Sequence, residues 1–98
     1  MEKSLSLRTQ NLIDLIEEPN VREMVHDLFR TNAALYASPT SDVLERIRFS
    51  VIKLAMQGVE MFNVAAELYR VDTRDLLVNA EFADDLRAHE KWYESFNL

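Results

Sequence analysis

The stretch Val43-Leu44-Glu45-Arg46-Ile47-Arg48-Phe49-Ser50-Val51-Ile52-Lys53-Leu54-Ala55-Met56-Gln57-Gly58 decides how the chain is read. On a helix, Arg46, Ser50, Lys53 and Gln57 recur at steps of four, three and four, which places them on one narrow polar stripe. Nearly everything else between Ile47 and Met56 is apolar: Ile47, Phe49, Val51, Ile52, Leu54, Ala55 and Met56. A surface helix buries a single stripe, whereas this one offers apolar surface on several sides. It is therefore expected to be the central helix, with Val51 and Leu54 among the most buried residues and Arg46 and Lys53 exposed. Gly58 is expected to close it in a left-handed cap.

Working outward, Leu5, Leu12, Ile13, Leu15 and Ile16 predict an amphipathic helix over residues 4–18, ending near Glu18-Pro19. Asn20 with Glu23 three residues on has the form of a capping box. Val21, Met24, Val25, Leu28, Phe29, Asn32, Leu35 and Tyr36 then repeat at helical spacing. Ser38-Pro39-Thr40-Ser41 reads as a linker, and Ser41 or Asp42 as the start of the central helix. Beyond Gly58 the pattern predicts a short helix over about 60–69, a turn at Arg70-Val71-Asp72, and a helix from Thr73 with Asp72 as its N-cap. Phe82, Leu86, His89, Tyr93 and Phe96 are spaced four, three, four and three, a heptad-like stripe on a final helix.

Ninety-eight residues with 48% hydrophobic and 29% charged content make one domain, residues 1–98, and one glycine with two prolines leaves little material for tight turns. The expected fold is all-α, a bundle of four to five helices around a central helix at about 42–57. Without cysteine, disulfides, thiolate metal sites and cysteine nucleophiles are excluded. No uninterrupted apolar run suggests a signal peptide or a membrane span, so a cytoplasmic protein is expected. The net charge of −6 opposes non-specific contact with phosphates.

Residues 44–82 resemble a generic helix-turn-helix. The likeness rests on Gly58, on Val64-Ala65-Ala66-Glu67-Leu68-Tyr69-Arg70-Val71-Asp72, and on Leu76 in the following helix. In that motif a small residue, here Ala66, allows a close helix crossing, and Val71 with Leu76 would close a miniature core. The resemblance implies a DNA-binding regulator with Thr73, Arg74 and Asn79 as its contacts. Two features depart from it. Arg70 stands where the motif has its turn glycine, and Asp75, Glu81, Asp84 and Asp85 outnumber Arg74 and Arg87 on the would-be reading helix.

Other patterns are thinner. Glu23 and His26 have the spacing of a di-iron ligand pair but lack the second pair and the two further glutamates, so His26 reads as a solvated surface residue. His89-Glu90 opens like a zinc-protease motif, yet Tyr93 occupies the position of the second histidine. His89 is expected to be a packing residue with a hydrogen-bonded ring nitrogen. No catalytic arrangement, cofactor or metal site is predicted. Met24, Met56 and Met61 with Phe49 and Phe62 read as core, or as a methionine-rich groove for a partner helix. Trp92 reads as a lid on the bundle or as an interface anchor. The function that fits best is a small acidic regulatory protein that binds a protein partner, expected to be a homodimer, with Phe82, Leu86, His89, Trp92, Tyr93 and Phe96 as its interface. The DNA-binding regulator is the alternative.

Overall fold

Short amphipathic segments that each bury one face on a shared helix give this chain its architecture. The computed structural model describes residues 5–31 and 41–98, and every regular element among them is helical. The elements are α1 (Leu7–Asp14), α2 (Pro19–Thr31), α3 (Ser41–Ala55), α4 (Val59–Val71), α5 (Thr73–Asn79) and α6 (Ala88–Glu94). Helix α3 packs against each of the other five and is the centre of the molecule. Phe49, Val51, Ile52 and Leu54 on it are at most 1% exposed. The Cα radius of gyration of 12.2 Å is that of a globular chain of this length, so α6 lies against the bundle and does not project from it.

The local chemistry sets the helix boundaries. Ser6 caps α1 by accepting from the Thr9 amide at 3.1 Å. The helix stops at Asp14, earlier than its apolar pattern implies, because Leu15 and Ile16 donate to Leu12 and Ile13 in a tightened last turn and leave Leu15 partly exposed. Pro19, not Asn20, opens α2. Its fixed φ suits a first helical position, and Asn20 lies within the first turn. Val21, Val25, Leu28 and Phe29 are buried as expected. Asn32, Leu35, Tyr36 and the linker residues 38–40 lie outside the described residues.

At the far end of α3 the chain does not form a left-handed cap. Gly58 has φ 121° and ψ 175°, an extended conformation of positive φ, and its carbonyl begins α4 by accepting from Phe62 at 3.0 Å. Helix α4 runs through Val71, and the connection to α5 is Asp72 alone. The Asp72 carboxylate caps α5 through the Asp75 amide at 3.1 Å, as expected. Arg70 stays helical. Among the described residues only Glu81 and Asn97 are non-glycine residues with positive φ, so no left-handed cost falls on Arg70.

Helix α5 ends in a Schellman motif with Glu81 at φ 65°. Phe82 donates to Leu77 and Glu81 to Val78, at 2.9 and 3.0 Å. This motif corrects the polar stripe of α3. Arg46 and Lys53 are not exposed but half-buried: Lys53 donates to the Ala80 carbonyl at 2.7 Å and Arg46 to that of Phe82. Ser50, between them, is fully buried and donates to the Arg46 carbonyl of its own helix. Only Gln57 of the stripe is exposed.

Candidate functional site

The C-terminal residues expected to form an interface are, apart from Leu86, brought together against the protein's own core. The Schellman turn puts Phe82 before α6 and buries it, Leu86 sits 76% exposed in the connection, and the helix starts only at Ala88. The five residues therefore do not share one helical face. His89 is buried between Phe49 and Phe82, at ring-centroid distances of 5.6 and 6.4 Å. Trp92 packs edge-on against Phe49 and Phe96 and tilted against Phe82, and Tyr93 stacks on Phe49 at 5.8 Å. Trp92 is thus a lid on the bundle. The outward side of α6 carries the exposed Lys91 and Glu94 and is not apolar.

Arg8, which sequence reasoning passed over, ties this cluster to α1. Its guanidinium lies 4.7 Å from the Tyr93 ring centre and 5.5 Å from that of Phe49, and it pairs with Glu45 at 3.1 Å. His89 Nδ1 has no hydrogen-bond partner among the described residues. Burial pushes its pKa below the ordinary value; Glu90 and Glu45 oppose that shift, while Arg46 and Arg8 add to it.

The helix-turn-helix-like segment keeps part of the expected arrangement. Helices α3, α4 and α5 pack mutually, with Ala66 and Leu76 buried. Val71 points away from that core and is 69% exposed, so it closes nothing. Of the three nucleic-acid candidates, Thr73 is half-buried, Asn79 donates its amide to the Asp75 carbonyl of its own helix, and Arg74 is exposed. Helix α5 has seven residues, about 10 Å of helix, with exposed Asp75 beside Arg74 and exposed Glu81 and Asp84 following.

No metal-ligand chemistry replaces these readings. Among the described residues, no three of His, Asp and Glu come together in a way that would hold an ion, and His26 is half-buried, not solvated. A recess of about 100 Å³ between the α1–α2 turn and the end of α3 is lined in part by Glu17 and Glu18. None of its lining residues contributes an unpaired buried polar atom.

Exposed apolar side chains are scattered over the surface, among them Leu7, Val78 and Leu86, and on α4 they fall in a row. Phe62, Ala65, Ala66 and Tyr69 face the core. At about 100° per residue, Met61, Val64, Leu68 and Val71 fall within an arc of about 80° beside that face. Their spacing of three, four and three makes a continuous strip about 15 Å long. Met61 and Leu68 are half-buried at its inner edge, while Val64 is 43% and Val71 69% exposed. Glu60 and Glu67, both exposed, adjoin the strip on the solvent side. The spacing is visible in the sequence; Met61 packs against the core along one edge, whereas Val71 was expected to point inward and does not.

No family model, curated protein or solved structure matches this chain. Among the described residues, no helix is long and apolar enough to cross a membrane.

Proposed function

We propose that this chain is a small acidic helical regulatory protein that acts by binding a protein partner, not by catalysis. One observation carries the reading: the strip Met61, Val64, Leu68 and Val71 presents apolar surface in a row along a whole helix. Isolated exposed valines are ordinary on a protein surface; an aligned row at heptad spacing is the form in which one helix receives another. His89, Trp92 and Tyr93 of the expected C-terminal interface pack on Phe49, so the reading rests on α4.

The DNA-binding alternative has less support. Only Arg74 of its three contacts is well exposed without a bond to its own helix, and exposed Asp75, Glu81 and Asp84 follow it in the chain. Groove-reading surfaces need positive charge to approach phosphates.

The test is affinity capture from the source cell with wild type and Val64→Asp/Val71→Asp side by side, together with retention on duplex DNA at low salt. A protein recovered by wild type and lost with the variant is the expected result. Equal capture by both, or salt-sensitive retention on DNA, would overturn the reading.

A further inference from the structure

We infer that the partner presents a basic amphipathic helix to the α4 strip. The inference rests on the protein-binding reading above and names the chemistry of the partner. The strip is straight, one helix long and bordered on its solvent side by Glu60 and Glu67, while the opposite side of the strip runs into the core at Ala65 and Tyr69. An incoming helix therefore meets apolar side chains under its centre and carboxylates along its outer edge. Leu, Ile or Met at the first and fourth positions of a heptad would fill the strip, and Lys or Arg beside them would face Glu60 and Glu67.

The basic side chains near this edge do not cancel it. Arg70 is within 3.9 Å of Glu67, but both are more than half exposed, so the pair is weak and solvent-screened. On the helix Arg70 lies about 140° from the middle of the strip, against about 80° for Glu67. The net charge of −6 adds a long-range attraction for a basic partner.

A second copy of this chain is a poorer occupant. In an antiparallel two-fold pairing of α4 with itself, both acidic edges fall on the same side of the seam, and Glu60 and Glu67 of the two copies repel.

The experiment uses the full chain and two labelled synthetic helical peptides with the same leucine face, one flanked by lysine and one by glutamate. Fluorescence anisotropy gives the affinity of each. The lysine peptide is expected to bind on the order of tenfold or more tightly than the glutamate peptide, with a salt-dependent advantage. Val64→Asp should abolish binding of both. Glu60→Lys/Glu67→Lys should remove or reverse the preference, whereas the same charge change placed at Glu81 and Asp84 should leave most of it. If Val64→Asp removes binding but the reversal at Glu60 and Glu67 changes nothing, the basic preference falls and the strip as a protein-binding surface stands. If Val64→Asp has no effect, the strip itself falls. Sedimentation equilibrium showing a wild-type dimer that Val64→Asp dissociates, with neither peptide bound, would assign the strip to a second copy and overturn the inference.

Discussion

Lys53 Nζ lies 2.7 Å from the carbonyl oxygen of Ala80, so a cation from the last turn of α3 sits on the C-terminal end of α5. Arg46, two turns earlier on the same stripe, donates to the carbonyl of Phe82. Helix ends leave carbonyls without partners and carry partial negative charge, which both side chains satisfy. Lys53 is also 4.9 Å from the centre of the Phe82 ring. Lys53→Met should therefore cost about 1.5–3 kcal/mol, the range for a hydrogen bond to a charged group. Arg46→Met should cost a similar amount. Urea denaturation of each single variant and of the pair checks this. Midpoints within error of wild type would show that the two contacts add nothing.

The centre of the fold was legible in the sequence and its edges were not. The near-continuous apolar run from Ile47 to Met56 has no stable solution except burial, so α3 and the burial of Val51 and Leu54 follow from periodicity alone. The fate of Arg46 and Lys53 depended on what another segment placed beside them. A long cationic side chain at the border of an apolar face is ordinarily solvated, and only the Schellman turn of Glu81 and Phe82 gave these two something to hold. The same turn broke the heptad-like stripe, since the spacing of Phe82 and Leu86 is helical although the backbone between them is not. Val71 was misplaced for a related reason: periodicity marks an apolar row but not whether the neighbours suffice to cover it.

Leu54 is 1% exposed and sits on the helix that every other described helix touches. Leu54→Ala removes buried methyl groups where five neighbours cannot all collapse, and should cost ~2–5 kcal/mol. That is a large share of the ~5–15 kcal/mol available to a domain of this kind. Calorimetry should show a strongly lowered Tm. A melt close to wild type would count against α3 as the organising helix.

Two positive-φ sites should respond in opposite directions. An added Cβ at Gly58 would meet nothing within 4 Å, so Gly58→Ala is penalised through the backbone alone, by about 1–3 kcal/mol. Glu81 holds φ 65° at a position where helix termini ordinarily use glycine. Glu81→Gly should relieve left-handed strain and stabilise by up to about 1 kcal/mol after the greater freedom of glycine in the unfolded chain is set against it. Chemical denaturation of the two variants should bracket wild type; a destabilised Glu81→Gly would refute the strain argument.

Arg48 is 3% exposed, with Nε and Nη2 lacking hydrogen-bond partners among the described residues. It is held over the Phe29 ring at 5.3 Å and beside the hydroxyl of Tyr69. Burial raises the Tyr69 pKa and the guanidinium pulls it back, so the phenol stays neutral and accepts from Arg48. A buried cation with no carboxylate paired to it among the described residues is costly, and an apolar side chain of similar length avoids that cost. Arg48→Met is expected to leave Tm unchanged or raise it, as measured by differential scanning calorimetry. A large drop would mean that the Phe29 and Tyr69 contacts outweigh the desolvation.

His89 should make the docking of α6 sensitive to mild acid. Its ring is packed between Phe49 and Phe82 with Nδ1 unpartnered, and desolvation moves its pKa below the ordinary 6.5. The charged groups around it, Glu90 and Glu45 on one side and Arg46 and Arg8 on the other, oppose each other and leave burial as the deciding cause. Because the folded pKa is the lower one, the unfolded chain binds more protons between that value and 6.5. The stabilisation from a neutral His89 is therefore complete above about pH 6.5 and declines as pH falls through the window down to the folded pKa. His89→Gln, which cannot titrate, should show a flatter profile than wild type from pH 7.5 to 5.5. The readout is the fluorescence of Trp92, the single tryptophan, which rests on Phe49 and Phe82 in the same cluster. Wild type should show a change in Trp92 emission and a lower urea midpoint as the pH drops, both reversible on return to pH 7.5. Identical pH profiles for wild type and His89→Gln would show that His89 does not control the docking of this helix.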